Sequence, residues 1–503
     1  AWFRSCSLSR LSALPTVDMK FLNQFYLTSI QWNDLKIPND FQSREHKEVC
    51  LRYSNHLPLN IFSQENGGEI WILGWLFFAN KLVTEKDSQL PTVKNISDLI
   101  NSKIITQSYG RYFIIYFATD QSTYLLGDSA GTLSAFYKSK GYLVASSIEL
   151  IRFTQYPIFE NKTLQEALKE CEKQCHYWYA GGLCELSDIY LLFPNHYLKL
   201  GDQEPRRFYP TADIHLIRET EKQKLKNKID TATQVINESV LSFSKVGSLA
   251  LPITSGRDSR IILSAIYANQ LNQKTTCYTV EKGDPNDTLF GSVLALSCDV
   301  KWLDKNPSNC SVLLPGYGGE ICKGYWYQYL NQTISNQVER IYKAIPFTEY
   351  INEELIENKI KQWISNLLQR VSDDYLILDI AYLELRWAST MGQVHYKHDE
   401  VFPYSFSSFA SRRFIETSLS LPLRMKKRMS LYYYICQRNA SHLITVPAGS
   451  IYYSYSQIPR LLLLLAFGFF LSSEFQSIIY SRAMKRSIAA SVILTWNRLK
   501  RKL

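Results

Sequence analysis

The sequence predicts two architectures in one chain: an α+β N-terminal part made of antiparallel strands, and an α/β C-terminal part built on a doubly wound parallel sheet with added helices. Three observations carry this reading. Between about Met19 and Tyr209, short apolar runs are separated by turn residues. Between 248 and 315, strand-like and helix-like runs alternate, the pattern of a parallel sheet covered by helices. Beyond Tyr325 apolar residues recur mostly at helical spacing.

In the first part the apolar runs are 70–79, 111–118, 123–127, 134–138 and 142–147. Turn signals fall between them: Thr119-Asp120-Gln121, Asp128-Ser129-Ala130-Gly131 and Ser139-Lys140-Gly141. Consecutive antiparallel strands follow from that spacing. A helix is predicted over 214–243. Then come a strand at 248–253, a helix at 260–268, a strand at 275–280, a helix at 288–297 and a strand at 311–315. In the last part the clearest helices are 353–371 and 376–390.

Composition sets outer bounds. A chain of 503 residues, 46% hydrophobic and 20% charged, has a globular balance and length for several domains. Of the net charge of +10, the stretch 482–503 supplies seven basic residues and no acid, which leaves the rest close to neutral. A nucleic-acid surface is therefore not expected. The basic tail is suited to an acidic surface, or simply to solvent. The ten cysteines form no CxxC and no zinc-ligand spacing, which fits reduced thiols and a cytoplasmic location. The longest apolar run, 461–471, is shorter than the roughly 20 residues a membrane helix needs, so no membrane span is expected. Residues 1–18 carry Arg4, Arg10 and several serines before their first acid at Asp18, and read as a leader ahead of Met19.

The most informative segment is Leu251-Pro252-Ile253-Thr254-Ser255-Gly256-Arg257-Asp258-Ser259-Arg260. An apolar strand runs into a small hydroxyl-rich loop, and an amphipathic helix starts at once. Backbone N–H groups and the positive end of a helix dipole then lie at the strand's C-terminal end, where an anion is favoured. Thr254, Ser255 and Ser259 can donate to phosphate oxygens. Asp258 cannot hold phosphate directly, but it can hold Mg²⁺ against phosphates. An ordinary strand–turn–helix with a capping residue is the plain alternative. Downstream, Gly316-Tyr317-Gly318-Gly319-Glu320-Ile321-Cys322-Lys323-Gly324-Tyr325 places four glycines after another strand-like run, which permits close approach of backbone to a ligand. Between the two, Asp284-Pro285-Asn286-Asp287 precedes a helix.

The first segment resembles the SGGxDS signature of the ATP-pyrophosphatase superfamily, with Thr254 at the first Ser position and Ser255 at the first Gly. The second resembles the GxGSDExxxGY loop of asparagine synthetases, one residue shorter and without its Asp. The resemblance implies an ATP and pyrophosphate site over Leu251, Thr254, Ser255, Gly256, Arg257, Asp258, Ser259, Val280, Gly316, Gly318 and Gly319. It puts Mg²⁺ on Asp258 and Asp287, and base or substrate-holding work on Glu320. The stretch from Phe402-Pro403-Tyr404 to Leu421-Pro422 and Arg424 resembles a packing element of the same family, often followed by a catalytic lysine. That role falls to Lys426 or Lys427, and the sequence leaves open which; a solvated helix-end lysine is the plain alternative for both.

Gly110-Arg111-Tyr112-Phe113-Ile114-Ile115-Tyr116, Leu125-Leu126-Gly127-Asp128-Ser129-Ala130-Gly131, Ala135-Phe136-Tyr137 and Phe193-Pro194-Asn195-His196-Tyr197 resemble, in order, segments of class II glutamine amidotransferase domains. This implies an Ntn-hydrolase-like αββα sandwich over 19–210, an asparagine synthase-like domain over 211–475, and a basic tail over 476–503. Glutamine hydrolysis needs an N-terminal Cys. Neither Ala1 nor Lys20, after Met19, supplies one, so the N-terminal domain is expected to serve as scaffold. The expected function is an AMP-forming amide ligase that uses ATP and Mg²⁺. A small-molecule carboxylate becomes an acyl-adenylate and is attacked by ammonia or an amine; a homodimer is compatible with this. One alternative is a ring-closing, β-lactam-type synthetase, in which a Tyr with a Glu partner is the base; Tyr325, Tyr327 and Glu384 are available. The other is a non-catalytic scaffold or partner protein.

Overall fold

The computed structural model describes residues 21–446, leaving out 33, 87–89, 176–178, 212–213 and 280–284. The leader, Val280, Asp284, the apolar run 461–471 and the tail 476–503 lie outside the described residues. The fold is mixed α/β. The described residues divide into two compact units, one of 21–242 and 317–430 and the other of 243–316 and 431–446. The second part of the chain is therefore shared between the units.

The larger unit begins with thirteen strands: β1 (Phe25–Ser29), β2 (Phe41–His46), β3 (Val49–Ser54), β4 (Leu59–Ser63), β5 (Glu69–Phe78), β6 (Lys81–Leu82), β7 (Tyr109–Phe117), β8 (Thr123–Gly127), β9 (Phe136–Lys138), β10 (Val144–Ala145), β11 (Ile189–Leu191), β12 (His196–Lys199) and β13 (Arg206–Arg207). They form two antiparallel sheets, ordered β11-β9-β10-β1-β3-β2 and β13-β12-β8-β7-β5-β4, with β6 on β5. Ile70, Ile72 and Leu76 of β5 and Tyr112, Ile114 and Tyr116 of β7 pack on helices α1 (Ile96–Asn101) and α2 (Lys103–Thr106) through Leu99, Ile104 and Ile105. The opposite face meets the other sheet, with the rings of Phe25 in β1 and Phe113 in β7 only 4.9 Å apart. That sheet's far side, through Tyr26, Phe136 and Ala145, covers Ile148, Leu150 and Ile151 of α3 (Ile148–Phe153). The layers therefore run helix, sheet, sheet, helix. Because β7 is covered on both faces, all its residues are buried, and the sequence reads as a continuous apolar run rather than an alternation.

Buried polar groups brace this unit. The Asp128 carboxylate accepts from the amides of Ala130, Thr132 and Leu133 and from Thr132 Oγ1, which closes the turn that the sequence marks with Asp128 and Gly131. Gly131 sits at φ +69°, and a Cβ there would lie 3.1 Å from Ala388 Cβ, so both conformation and space favour glycine. Arg111 Nη1 donates to both carboxylate oxygens of Asp399, at 2.8 and 2.7 Å, with both side chains fully buried. Helices α4 (Lys162–Cys175) and α5 (Lys222–Phe243) follow the strands in the chain. The predicted helix over 214–243 thus starts about two turns later than expected.

The smaller unit holds β14 (Leu249–Pro252), α6 (Asp258–Ala268), β15 (Thr275–Tyr278), α7 (Pro285–Ser297), β16 (Lys301–Leu303) and β17 (Val312–Leu313). Its strands lie in the order β16-β15-β14-β17, and every pair is parallel. Written as 3-2-1-4, the order reverses between the first and fourth strands, which is where open parallel sheets carry their ligand crevice.

Returning to the larger unit, the chain forms α8 (Gln337–Ala344), α9 (Glu354–Leu368), α10 (Asp374–Ala381), a π-helical turn at Tyr382–Ala388, α11 (Ser389–Asp399), α12 (Arg412–Ser420) and α13 (Leu423–Lys427). The predicted helix over 376–390 is thus one stretch of a longer helical run whose hydrogen bonding loosens at 382–388. Helix α14 (Ser430–Asn439) then joins the smaller unit.

Candidate functional site

In the smaller unit the loop 253–257 connects β14 to α6 at the C-terminal edge of the sheet. Leu251 is fully buried in β14 and anchors the loop's entry. The loop's amides are already engaged. Thr254 N donates to Ser259 Oγ at 3.3 Å, and Gly256 N to Thr254 Oγ1 at 3.1 Å. Ser255 donates both its amide and its hydroxyl to Asp287 Oδ1, each at 2.8 Å. This differs from the open array of N–H groups expected from sequence: the hydroxyls and the carboxylate turn inward and satisfy the loop. Arg257 stands exposed immediately before α6.

The second predicted loop meets the first within this unit. Gly316 follows β17, and a Cβ on it would lie 3.0 Å from Ser259 N and 3.4 Å from the Asp258 Cβ. Glycine there allows the two loops to touch, so Ser255, Asp258, Ser259, Asp287 and Gly316 converge on the edge between β14 and β17. Two carboxylates are available. Asp287 holds Ser255, and Asp258 Oδ1 accepts from Tyr432 Oη of α14 at 2.6 Å. Among the described residues no group of three or more His, Cys, Asp or Glu side chains is placed to hold a metal ion. Mg²⁺ beside a nucleotide ordinarily takes one or two carboxylates and fills its shell with phosphate oxygens and water. Asp258 and Asp287 fit that donor chemistry.

Sequence reasoning missed two supports of this loop. Tyr432 gives no signal in a chain with 33 tyrosines. Arg260, one residue past the signature, is buried and reaches back to Ser255 O at 3.4 Å while donating to Leu443 O and Val446 O at 3.0 and 2.5 Å. A charged residue directly before the apolar run Ile261-Ile262-Leu263 was the available clue.

The remaining predicted residues belong to the larger unit. Gly318 sits at φ +94°, where a Cβ would fall 2.1 Å from the Trp387 ring, and Gly319 is buried beside it. Glu320 Oε2 accepts from Gly318 N at 3.1 Å and from Tyr382 Oη at 3.0 Å, with Lys323 Nζ 3.9 Å from its other oxygen. Burial, reinforced by the Glu320 charge, raises the Tyr382 phenol well above its ordinary range.

Lys426 is not the solvated helix-end lysine that was its plain alternative. It is fully buried, and donates to Asp379 Oδ2 at 2.5 Å and to Leu419 O at 2.8 Å. Tyr327 Oη donates to the same Asp379 oxygen at 2.6 Å. Burial pushes Asp379 upward, against the pull of Lys426. Lys427 is exposed, its ammonium 5.4 Å from the centre of the Tyr375 ring. Of the two lysines, only Lys426 therefore has a fixed position.

Two of the residues available for a ring-closing base, Tyr327 and Glu384, are bonded to other partners. Glu384 is fully buried and accepts from Arg207 at 2.7 and 2.6 Å, from Asn195 Nδ2 at 2.7 Å and from Trp363 Nε1 at 2.8 Å. Burial alone would raise its pKa, but Arg207 and the other donors outweigh it and hold the carboxyl below its ordinary value. Tyr327 is committed to Asp379, and the contact that exists is Tyr382 with Glu320.

No protein-family model matches the chain, and no curated protein matches it. No helix among the described residues is long and apolar enough to cross a membrane. Cys50, Cys171, Cys184, Cys277, Cys298, Cys310, Cys322 and Cys436 are buried, and none of these eight is in a disulfide.

Proposed function

We propose that this chain is an AMP-forming amide-bond ligase of the asparagine-synthetase type, binding ATP along the β14–β17 edge. One observation carries the reading: the Thr254–Ser259 loop and Gly316 meet where the order β16-β15-β14-β17 reverses. The four-layer order of the larger unit supports an Ntn-hydrolase-like sandwich, and the parallel sheet supports an ATP-pyrophosphatase domain.

In this reading a carboxylate substrate attacks the α-phosphate of ATP, expelling pyrophosphate and leaving an acyl-adenylate. Ammonia or an amine then displaces AMP. The protein's share is to position the reactants and neutralise charge. Thr254, Ser255, Gly256 and Ser259 receive the pyrophosphate, helped by the positive end of α6. Asp258 and Asp287 would hold Mg²⁺, which would offset the phosphate charge. Glu320, oriented by Tyr382, is the base or amine-holding group. Lys426 takes a supporting part, because its ammonium is spent on Asp379.

A second reading, a non-catalytic scaffold or partner subunit, is favoured by a different observation: the amides of Thr254, Ser255 and Gly256, and both carboxylates, are bonded to the chain's own groups. Incubating the protein with Mg·ATP, ammonium and a panel of carboxylic acids separates the two. Ligase chemistry predicts pyrophosphate release that depends on one acid, with AMP as co-product, and that is lost in Asp258→Asn. Absence of nucleotide binding favours the scaffold.

A further inference from the structure

Ser255 makes a double contact with one carboxylate oxygen. At Ser255 the resembled signature has glycine, which could offer a carboxylate only its amide. The serine adds a hydroxyl, and both donors converge on a single oxygen, Asp287 Oδ1, at 2.8 Å. Asp287 reaches the loop from the first turn of α7, 32 residues further along the chain. Ser255 is nearly buried, so water competes weakly for this contact. Charge-assisted bonds of this kind are the stronger class of hydrogen bond. A carboxylate oxygen therefore sits where the loop would otherwise present two donors to an incoming anion.

We propose that Asp287 is a built-in competitor for the anion seat of the 254–259 loop: its carboxylate occupies the Ser255 donors, and a phosphate ligand binds only by displacing it. This rests on the reading of that loop as a phosphate site, and concerns its regulation. The departure at Ser255 and the carboxylate at Asp287 are then two halves of one device. The free loop is held shut and neutralised, and a highly charged ligand is needed to open it. Asp258, held by Tyr432, is unchanged by the exchange and contributes the same repulsion in either state.

Calorimetric titration with inorganic pyrophosphate in EDTA tests the proposal, run beside Mg·ATP titrations of the same proteins. Asp287→Ala removes the competitor and should bind metal-free pyrophosphate at least tenfold more tightly than the parent chain, a gain of about 1.4 kcal/mol. Asp287→Asn keeps an acceptor but loses the charge, and should fall between. Asp287→Asn also keeps the proposal testable if Asp287→Ala folds poorly, because it removes the competing charge and leaves every donor of the loop in place. Equal or weaker pyrophosphate binding by the variants, with Mg·ATP still binding the parent chain, overturns the competitor and spares the nucleotide site. No binding by any form under either condition overturns both.

Discussion

Removing the Glu384 carboxylate should be among the most damaging single changes in the larger unit. Glu384 is fully buried and takes four hydrogen bonds from three side chains, at 2.6–2.8 Å. Its salt-bridge partner Arg207 is only 8% exposed. In Glu384→Ala the guanidinium is left charged and almost dry, which costs about 3–5 kcal/mol. Asn195 and Trp363 each lose an acceptor as well, about 1–3 kcal/mol apiece where water cannot enter. Because these penalties overlap, the expected loss is roughly 5 kcal/mol, a large fraction of the about 5–15 kcal/mol that holds a domain together. Glu384→Gln keeps an oxygen for the neutral donors but not the charge, and should lose roughly 3 kcal/mol, the low end of a broken buried pair. Urea unfolding followed by tryptophan fluorescence reads both, with Trp363 in the network as a local reporter. Arg207→Ala completes a cycle, in which the double variant should be less damaged than the sum of the singles. If both Glu384 variants unfold within 1 kcal/mol of the parent chain, an error band set by the extrapolation itself, the reasoning is refuted.

Other perturbations follow from the same geometry. Lys426→Met leaves Asp379 buried without its cation and should cost about 3–5 kcal/mol, while Lys427→Met should change stability by less than about 0.5 kcal/mol; paired urea curves distinguish them. Gly316→Val pushes a side chain toward Ser259 N, 3.0 Å from the Cβ position, and should weaken Mg·ATP binding while leaving the unfolding midpoint of the larger unit unchanged. His395 is fully buried and burial holds it neutral, and His398 is lowered to about 4 by burial and by Arg111. Both are depressed bases, so their stabilising effect is complete above the unfolded pKa of about 6.5 and is lost as pH falls through the folded values. The urea midpoint should therefore drop between pH 7 and pH 4, and His395→Gln should flatten that slope; an unchanged slope contradicts the assignment.

How much was legible in the sequence varied with burial. Strands β5, β7 and β8 were readable because their residues form apolar runs between turns. Strand β2, with the sequence FQSREH, was not: it lies at a sheet edge with its middle exposed, and it is a strand because β3 pairs with it along its whole length. Strand β16 was missed for a similar reason, being short and half-exposed beside β15. Strand β14 and helix α6 were predicted within two residues, since an apolar strand followed directly by an amphipathic helix has few other readings. For the candidate site, sequence located the 254–259 loop, Asp287 and Gly316, which the fold brings together. It could not say how the loop would use its donors, because that depends on where a carboxylate 32 residues away comes to rest. Nor could it tell Lys426 from Lys427, since one residue of helical rotation decides which faces Asp379.

Whether the β14–β17 edge activates a carboxylate through an adenylate is tested most directly by carboxylate-dependent exchange of labelled pyrophosphate into ATP. The exchange reports reversible adenylation alone and needs no amine. Exchange is expected with one member of an acid panel, absent without that acid and absent in Asp258→Asn. Nucleotide that binds tightly yet never exchanges label with any acid, or label that enters ATP equally well in Asp258→Asn, would contradict it.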